Sequence, residues 1–407
     1  MRHFNCAVCA LVVGSLVLPA VPAGGQEASP AKSVQVTFRV EDGGKFVDNL
    51  RIEDLEILEN GMPQNIRSLF VMDRGRLVRS EGDPAAAPKS GRHFIIYFQL
   101  TEFDPKIEEA FQYLFNNMLT EGDELTIITP QKPYRLSAQA FQAKSRKDLA
   151  KDMMKLVRKD IMSGASEYRS LLNEMKRIAR NIGGGPGNVG GMEAEGDAAT
   201  DQMGLEFSLP RYKQVLERVE KLRFADQAKF LEAAESLRQA ALPTQVIFFY
   251  QREFRPTISP DILSQLVLNN QDRPDIQAEL NEIFSFYKRE FNFDVNLVGK
   301  ALADAGAPIY ALLLDRKVKS AFGVIMTEQS EDMFRIYRAI TKSTGGGLDV
   351  SDNPAASLAK VAVKGNPVYV LSYVPSSPAS GGAFREITIS VKNKPYAVIH
   401  RSGYFAR

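Results

Sequence analysis

Residues 93–103 read His-Phe-Ile-Ile-Tyr-Phe-Gln-Leu-Thr-Glu-Phe, and this stretch decides the fold class that the sequence predicts. Its first half, Phe94–Phe98, is a continuous apolar run, which is typical of a strand buried on both faces of a sheet. Asp104-Pro105 then predicts a helix start, because Asp accepts an orphan backbone N–H and Pro fits the first helical turn. We therefore expect a strand followed by a helix that runs to about Leu119.

The same alternation of apolar strands and helices continues outward over residues 92–365. Three further strands are predicted at Leu125–Thr129, Gln245–Tyr250 and Ile309–Leu314, with helices between them. Strands that alternate with helices favour an α/β fold whose sheet is mostly parallel and covered by helices on both faces. One segment breaks the pattern: residues 183–204 are rich in Gly and acidic, which predicts a flexible loop.

The two ends of the chain have a different pattern. Residues 34–78 and 366–407 contain short strands separated by turns, and Glu59-Asn60-Gly61 is typical of a hairpin turn. Residues 24–33 and 79–91 are predicted to be linkers. We expect the C-terminal strands to pair with the N-terminal module in one small β-sandwich, although two separate β modules would give the same pattern.

The first 23 residues have the pattern of a signal peptide. Arg2 lies in a short polar start, an apolar run follows from Cys6 to Leu18, and small residues lead to Ala23. This apolar run is too short to span a hydrocarbon core of about 30 Å. We expect cleavage after Ala23, export to the periplasm or the cell exterior, and no membrane insertion afterwards.

The composition of the 407 residues excludes several kinds of chemistry. Lys and Arg total 51 and Asp and Glu total 49, so the formal net charge of +2 gives no electrostatic signature of nucleic-acid binding. The chain has three histidines, and both of its cysteines, Cys6 and Cys9, lie in the predicted signal peptide. Cys/His zinc sites, haem, iron–sulfur clusters and cysteine nucleophiles are therefore excluded from the mature chain. We expect no cofactor and no enzymatic activity.

A family resemblance is carried by passages near both ends and by one passage in the middle of the chain. They are Val34–Val40, Glu59-Asn60-Gly61-Met62-Pro63-Gln64, Thr344-Gly345-Gly346, Phe384-Arg385-Glu386-Ile387 and His400-Arg401-Ser402-Gly403-Tyr404. These passages resemble the von Willebrand factor A (VWFA)-related proteins of Acidobacteria and similar bacteria. The resemblance spans nearly all of the mature chain. It implies a Rossmann-like von Willebrand A domain that is inserted in, or flanked by, the small β-sandwich.

The resemblance also implies a metal site at the carboxyl edge of the sheet, built from D-x-S-x-S after the first strand, a threonine, and an aspartate after the fourth strand. Here Gln99 stands at the first aspartate, Thr101 and Phe103 stand at the serines, and Gln251 follows the fourth strand. Neutral and apolar groups do not offset the desolvation of Mg²⁺, so we expect no metal at this edge. An alternative is a rebuilt site whose oxygen ligands are Thr101, Asp104, Ser166 and Glu253.

The sequence thus predicts an exported, non-catalytic interaction protein that binds another protein of the cell envelope or outside the cell. The aromatic residues Phe103, Tyr168, Tyr250 and Phe254 are expected to contribute buried contact area at the same edge. Two alternatives stay open: a metal-dependent von Willebrand A adhesion module with altered ligands, and a carboxylate-based hydrolase. The predicted contact residues are Gln99, Thr101, Phe103, Ser166, Gln251 and Glu253.

Overall fold

The computed structural model describes residues 33–183, 204–223, 226–288, 292–316, 324–377 and 381–407. The predicted signal peptide and most of the predicted Gly-rich loop lie outside the described residues. Within the described ranges, no helix is both long enough and apolar enough to cross a membrane.

The described residues form eighteen β-strands. In chain order they are β1 (Val34–Asp42), β2 (Lys45–Phe46), β3 (Leu55–Glu59), β4 (Met62–Gln64), β5 (Ile66–Asp73), β6 (Arg76–Gly82), β7 (His93–Gln99), β8 (Glu124–Ile128), β9 (Pro133–Leu136), β10 (Thr244–Gln251), β11 (Phe254–Ile258), β12 (Ile309–Leu314), β13 (Val324–Glu328), β14 (Gly347–Ser351), β15 (Val368–Tyr373), β16 (Phe384–Val391), β17 (Ala397–His400) and β18 (Gly403–Phe405).

The same residues form eleven α-helices. In chain order they are α1 (Ile107–Tyr113), α2 (Ala138–Ala143), α3 (Arg146–Gly164), α4 (Ser166–Gly183), α5 (Leu205–Arg223), α6 (Gln227–Arg238), α7 (Pro260–Asn269), α8 (Pro274–Tyr287), α9 (Val295–Asp304), α10 (Glu331–Thr344) and α11 (Pro354–Lys364).

A mixed sheet of six strands, in the order β14-β12-β10-β7-β8-β9, lies in the middle of the chain. Neighbours from β14 to β8 are parallel, and β9 pairs antiparallel with β8 at the edge. Phe94, Ile96 and Phe98 of β7 pack in a core with α1, α3 and α11. Ile95 and Tyr97 face the opposite core, which includes α6, α9 and α10. The continuous apolar run in β7 is explained by burial on both faces of this sheet.

Strands from both ends of the chain form two antiparallel sheets that share one core. The larger sheet has the order β17-β1-β15-β5-β6, with β2 beside β1, and the smaller has the order β18-β16-β3-β4. In the β3–β4 hairpin, Asn60 and Gly61 have φ angles of 48° and 79°, which is the left-handed backbone that the predicted turn requires. Strand β6 occupies Arg76–Gly82, so the β5–β6 hairpin extends into residues 79–91, which the sequence analysis assigned to a linker.

A third packed unit contains α4, α5, α7 and α8 together with the antiparallel pair β11–β13. Its core includes Leu171, Tyr212, Ile258, Leu280 and Val324. Strand β11 starts shortly after β10 ends, so this unit continues directly from the carboxyl edge of the mixed sheet.

The fold class expected from the sequence is wrong for this chain. A Rossmann-like von Willebrand A domain with one mostly parallel sheet beside a small β-sandwich was predicted. Instead, three of the four described sheets are antiparallel throughout and the fourth is mixed, so antiparallel pairing dominates the fold. The physical reason is that the pairing of β-strands depends on contacts between residues that are far apart in the sequence. The pattern of apolar runs shows where strands lie, but it does not show how many distant strands pair beside them.

Candidate functional site

The strands β7, β10 and β12 end side by side at one edge of the mixed sheet, which we call the carboxyl edge. In the parallel register, Tyr250 lies opposite Gln99 and Gln251 lies opposite Leu314. The loops that follow parallel neighbouring strands converge at a common edge. The structure therefore brings three of the predicted contact residues together, Gln99 and Gln251 at the strand ends and Thr101 in the loop after β7.

Gln251 fixes the loop that follows β7. Its Oε1 atom accepts a hydrogen bond from the Thr101 hydroxyl at 3.3 Å and another from the Glu102 backbone N–H at 3.2 Å. The Gln251 residue is only 5% exposed. Its neutral amide therefore acts inside the protein, where it ties the ends of two neighbouring strands together.

Two helices hold the same loop from its flanks. Tyr337 of α10 donates its hydroxyl proton to Gln99 Oε1 at 2.9 Å, and the Arg169 guanidinium of α4 donates to the Thr101 carbonyl at 2.7 Å. Burial, and to a lesser extent the charge of Glu253, raises the pKa of the Tyr337 phenol well above its ordinary value. The phenol is therefore protonated near neutral pH and stays a hydrogen-bond donor.

Glu253 connects the end of β10 to two other elements. It is 5% exposed, its backbone N–H donates to Ser330 Oγ at 3.2 Å, and its carbonyl accepts from the Gln329 N–H at 3.0 Å. Gln329 also donates its side-chain amide to the Tyr168 hydroxyl at 2.8 Å. The contacts of Glu253 therefore link β10 to the start of α10 and, through Gln329, to α4.

Phe103 and Ser166, the other two predicted contact residues, contact α3. The half-buried Phe103 ring packs against the core on the α3 side of the mixed sheet, with the Arg158 guanidinium 5.4 Å from its centroid. The exposed Ser166 begins α4 and donates its hydroxyl proton to the Ser163 carbonyl at 2.6 Å. These contacts place both side chains beside α3.

The aromatic residues expected at the carboxyl edge are mostly inside the protein. Tyr250 is fully buried and packs against Phe334 and Tyr337, while Tyr168 is 6% exposed. Phe254 is half-buried in β11. Because these rings are packed inward, they offer little area to a partner at the surface.

Charged side chains instead occupy the exposed surface of the carboxyl edge. Arg316 pairs with Glu102 at 2.6 Å, and Arg252 lies 3.4 Å from Asp315 and 3.3 Å from Glu328. These five side chains are between 28% and 46% exposed. We call them the charged rim: Glu102, Arg252, Asp315, Arg316 and Glu328.

The side chains of the predicted alternative metal site either make hydrogen bonds or are buried within the protein. The Thr101 hydroxyl donates to Gln251, and Asp104 Oδ1 accepts from the Lys106 N–H at 2.9 Å as part of the turn before α1. Ser166 donates to α3, and Glu253 is buried beside Ser330. In the described part of the chain, no group of three or more His, Cys, Asp or Glu side chains is placed to hold a metal ion.

The charged rim was not among the predicted contact residues, although the sequence contains a signal for it. Asp315-Arg316 comes directly after the apolar strand β12, in the position that the loop residues after β7 and β10 occupy on their strands. Charges that follow a fully buried strand lie at the sheet edge because the strand fixes their position. The partners Glu102 and Glu328 are not adjacent in the sequence, and only the fold brings them near these residues.

No known family model matches the chain, and no curated protein matches its sequence. Among solved structures, the chain is similar to the human COPII-coat protein Sec24c, with a TM-score of 0.32 and 7% sequence identity over 84% of this chain. The chain covers 46% of the length of that protein. A similarity this weak has no bearing on fold or function, so the resemblance to VWFA-related proteins stays a prediction.

Proposed function

We propose that the chain is an exported, non-catalytic interaction module that binds another protein of the cell envelope, or one outside the cell, through the carboxyl edge of its mixed sheet and without a metal. The observation that supports this proposal most directly is the charged rim, whose side chains are partly exposed at the carboxyl edge. The loop beneath the rim is fixed by Gln251, Tyr337 and Arg169. A fixed loop loses little conformational entropy when a partner binds, which favours association.

The chemistry of the rim sets the kind of recognition. It carries both signs of charge, with three carboxylates and two guanidinium groups. Exposed charges contribute mainly to specificity and to the rate of association, and salt screens them over a Debye length of about 8 Å at physiological ionic strength. The partner is therefore expected to present complementary charges, and binding should weaken as salt rises.

A charge-swapped variant tests the proposal. The double variant Glu102→Arg with Arg316→Glu keeps an ion pair at the same place but reverses the charge that a partner meets. The matched control is Glu235→Arg with Arg238→Glu, because that pair is also exposed and lies on α6, which precedes the amino end of β10. Wild type, swapped variant and control are immobilised and used to capture proteins from an envelope extract at low and high salt.

We expect wild type and control to retain a defined set of envelope or secreted proteins. The swapped variant should retain about tenfold less of the same proteins, or lower amounts still. High salt should reduce the same set. Equal retention by wild type and swapped variant would refute the role of the rim. Recovery of chaperones and abundant porins alone would refute the interaction function as a whole.

A further inference from the structure

A cavity of about 490 Å³ lies at the opposite, amino edge of the mixed sheet, where the larger antiparallel sheet packs against it. Its walls come from the starts of β10 and β12, from the segments before β7 and β14, and from β1, β15 and the end of β17. Ligand pockets commonly have volumes of about 300–1,000 Å³ and form between packed units. The size and place of this cavity therefore suit a small organic molecule.

The charge of the walls is one-sided. Five of the lining side chains are cationic, Arg39, Lys89, Arg92, Lys364 and Arg401, and no described lining residue is Asp or Glu. Over the whole chain, basic and acidic residues are nearly balanced at 51 and 49. A lining of cations without carboxylates produces a positive potential inside a partly enclosed space, where screening by water is weak.

Two of these cations are neutralised by carboxylates behind the walls. Arg39 pairs with Glu41 at 2.7 Å and Arg92 pairs with Asp123 at 2.7 Å. Both arginines therefore hold the walls together, and their charge is largely balanced within the protein.

Arg401 is held differently. Its guanidinium donates to the backbone carbonyls of Ala303, Asp304 and Gln35 at 3.3, 3.2 and 2.9 Å, and its Nε atom is buried with no hydrogen-bond partner among the described residues. Burial lowers the pKa of this guanidinium from its ordinary value, while the charge of the nearby Asp304 carboxylate acts in the opposite direction. An anion in the cavity would offset that desolvation.

The mouth and the interior of the cavity differ in character. Lys89 and Lys364 are exposed and lie at its accessible side. The interior is lined by half-buried apolar groups, among them Pro88, Leu242 and Val368. The surface thus combines cations with an apolar wall.

We propose that this cavity binds an amphiphilic organic anion, with the charged group near Lys89, Lys364 and Arg401 and the apolar body against Pro88, Leu242 and Val368. This site is separate from the proposed protein-binding function, because it lies at the other edge of the mixed sheet. The proposed ligand is a small molecule that lies at the junction between the antiparallel sheets and the mixed sheet. Binding there would stabilise the junction, since a ligand that binds only the folded state raises its stability.

Isothermal titration calorimetry of the full chain with three matched probes tests the proposal. Decanoate carries both the charge and the apolar body, decanol carries the body without the charge, and acetate carries the charge without the body. We expect decanoate to bind with one site per chain, and decanol and acetate to bind at least about tenfold more weakly. Equal affinity for decanoate and decanol, or no binding of decanoate, would overturn the proposal.

Substitutions of the lining lysines test whether decanoate binds in this cavity. Lys89→Gln with Lys364→Gln should weaken decanoate binding about fivefold or more, whereas Lys360→Gln, one turn earlier on α11 and outside the cavity, should leave it within about twofold. An equal effect of Lys360→Gln and the double variant contradicts the assignment. Arg401→Gln should also weaken decanoate binding. If that variant does not fold, the lysine variants still test the site. The charge-swapped rim variant should bind decanoate like wild type, so failure of one proposal leaves the other testable.

Discussion

Replacement of Gln251 by Ala tests how the carboxyl edge is organised. The substitution removes the acceptor of two hydrogen bonds, from the Thr101 hydroxyl and the Glu102 N–H, inside a site that is 5% exposed. Each such bond contributes about 0.5–1.5 kcal/mol net, and donors left unsatisfied add to the loss. We therefore expect the loop after β7 to lose about 2 kcal/mol of local stability.

Hydrogen exchange followed by mass spectrometry measures that loss directly, in a peptide that covers residues 99–104. A loss of about 2 kcal/mol corresponds to an increase of about thirtyfold in exchange of the protected amides, since about 1.4 kcal/mol is a factor of ten. Peptides from β1 and β15 should be unchanged, because they lie outside this edge. The control is Gln112→Ala on the exposed side of α1, which should change the exchange of the same peptide by less than about twofold.

Two results would refute the reasoning. Unchanged exchange in the 99–104 peptide of the Gln251→Ala variant would show that the amide does not hold the loop. A rise of equal size in every peptide would show that the variant loosens the whole protein, and that the amide has no local role.

The remaining predictions concern stability. Asp123→Ala should lower the free energy of unfolding by about 3–5 kcal/mol, because Asp123 is fully buried and its loss leaves the Arg92 charge unpaired. A decrease of less than about 1 kcal/mol in urea unfolding would contradict this. Gly346→Ala should lower the melting temperature strongly, since a Cβ atom there would lie 1.8 Å from the Ile309 carbonyl oxygen; an unchanged melting temperature contradicts it. Burial lowers the pKa of His400, so the unfolded state binds more protons and stability should fall as the pH drops below about 6.5. For one group, the free energy of unfolding changes by at most about 1.4 kcal/mol per pH unit. The His400→Gln variant, unfolded at several pH values, should therefore show a weaker dependence of this free energy on pH than wild type. An equal dependence would refute the role of His400.

Local sequence patterns located individual strands well. The apolar run at Ile309–Leu314 is β12, with the same bounds, and the run at Gln245–Tyr250 lies within β10. Both strands are buried on both faces of the mixed sheet, so their composition directly reflects their environment.

The order and the register of the paired strands could not be predicted from the same patterns. Val34 of β1 pairs with Tyr373 of β15, a contact between residues more than 300 positions apart. The β11–β13 pair was missed because β11 contains Arg255 and Pro256, and the apolar part of β13 is only the three residues Val324–Met326. Pairing of the C-terminal strands with the N-terminal module was expected, but the order of those strands and the antiparallel pairs β11–β13 and β8–β9 were not predicted.

The candidate site was predicted in part. Gln99, Thr101 and Gln251 were placed at one edge by the order of strand and loop, and the structure brings them together. Their burial was not predicted, because it depends on α10 and α4, which pack over them from distant parts of the sequence. The charged rim was missed for the same reason.

The most direct test of how the carboxyl edge is held is a crystal structure grown with Mn²⁺, with anomalous difference maps calculated at the manganese edge. If the protein's own side chains organise this edge, the maps should show no peak there, and the Thr101 hydroxyl should stay within hydrogen-bond distance of Gln251 Oε1. A strong manganese peak coordinated by Thr101, with the Gln251 contact broken, would contradict that conclusion.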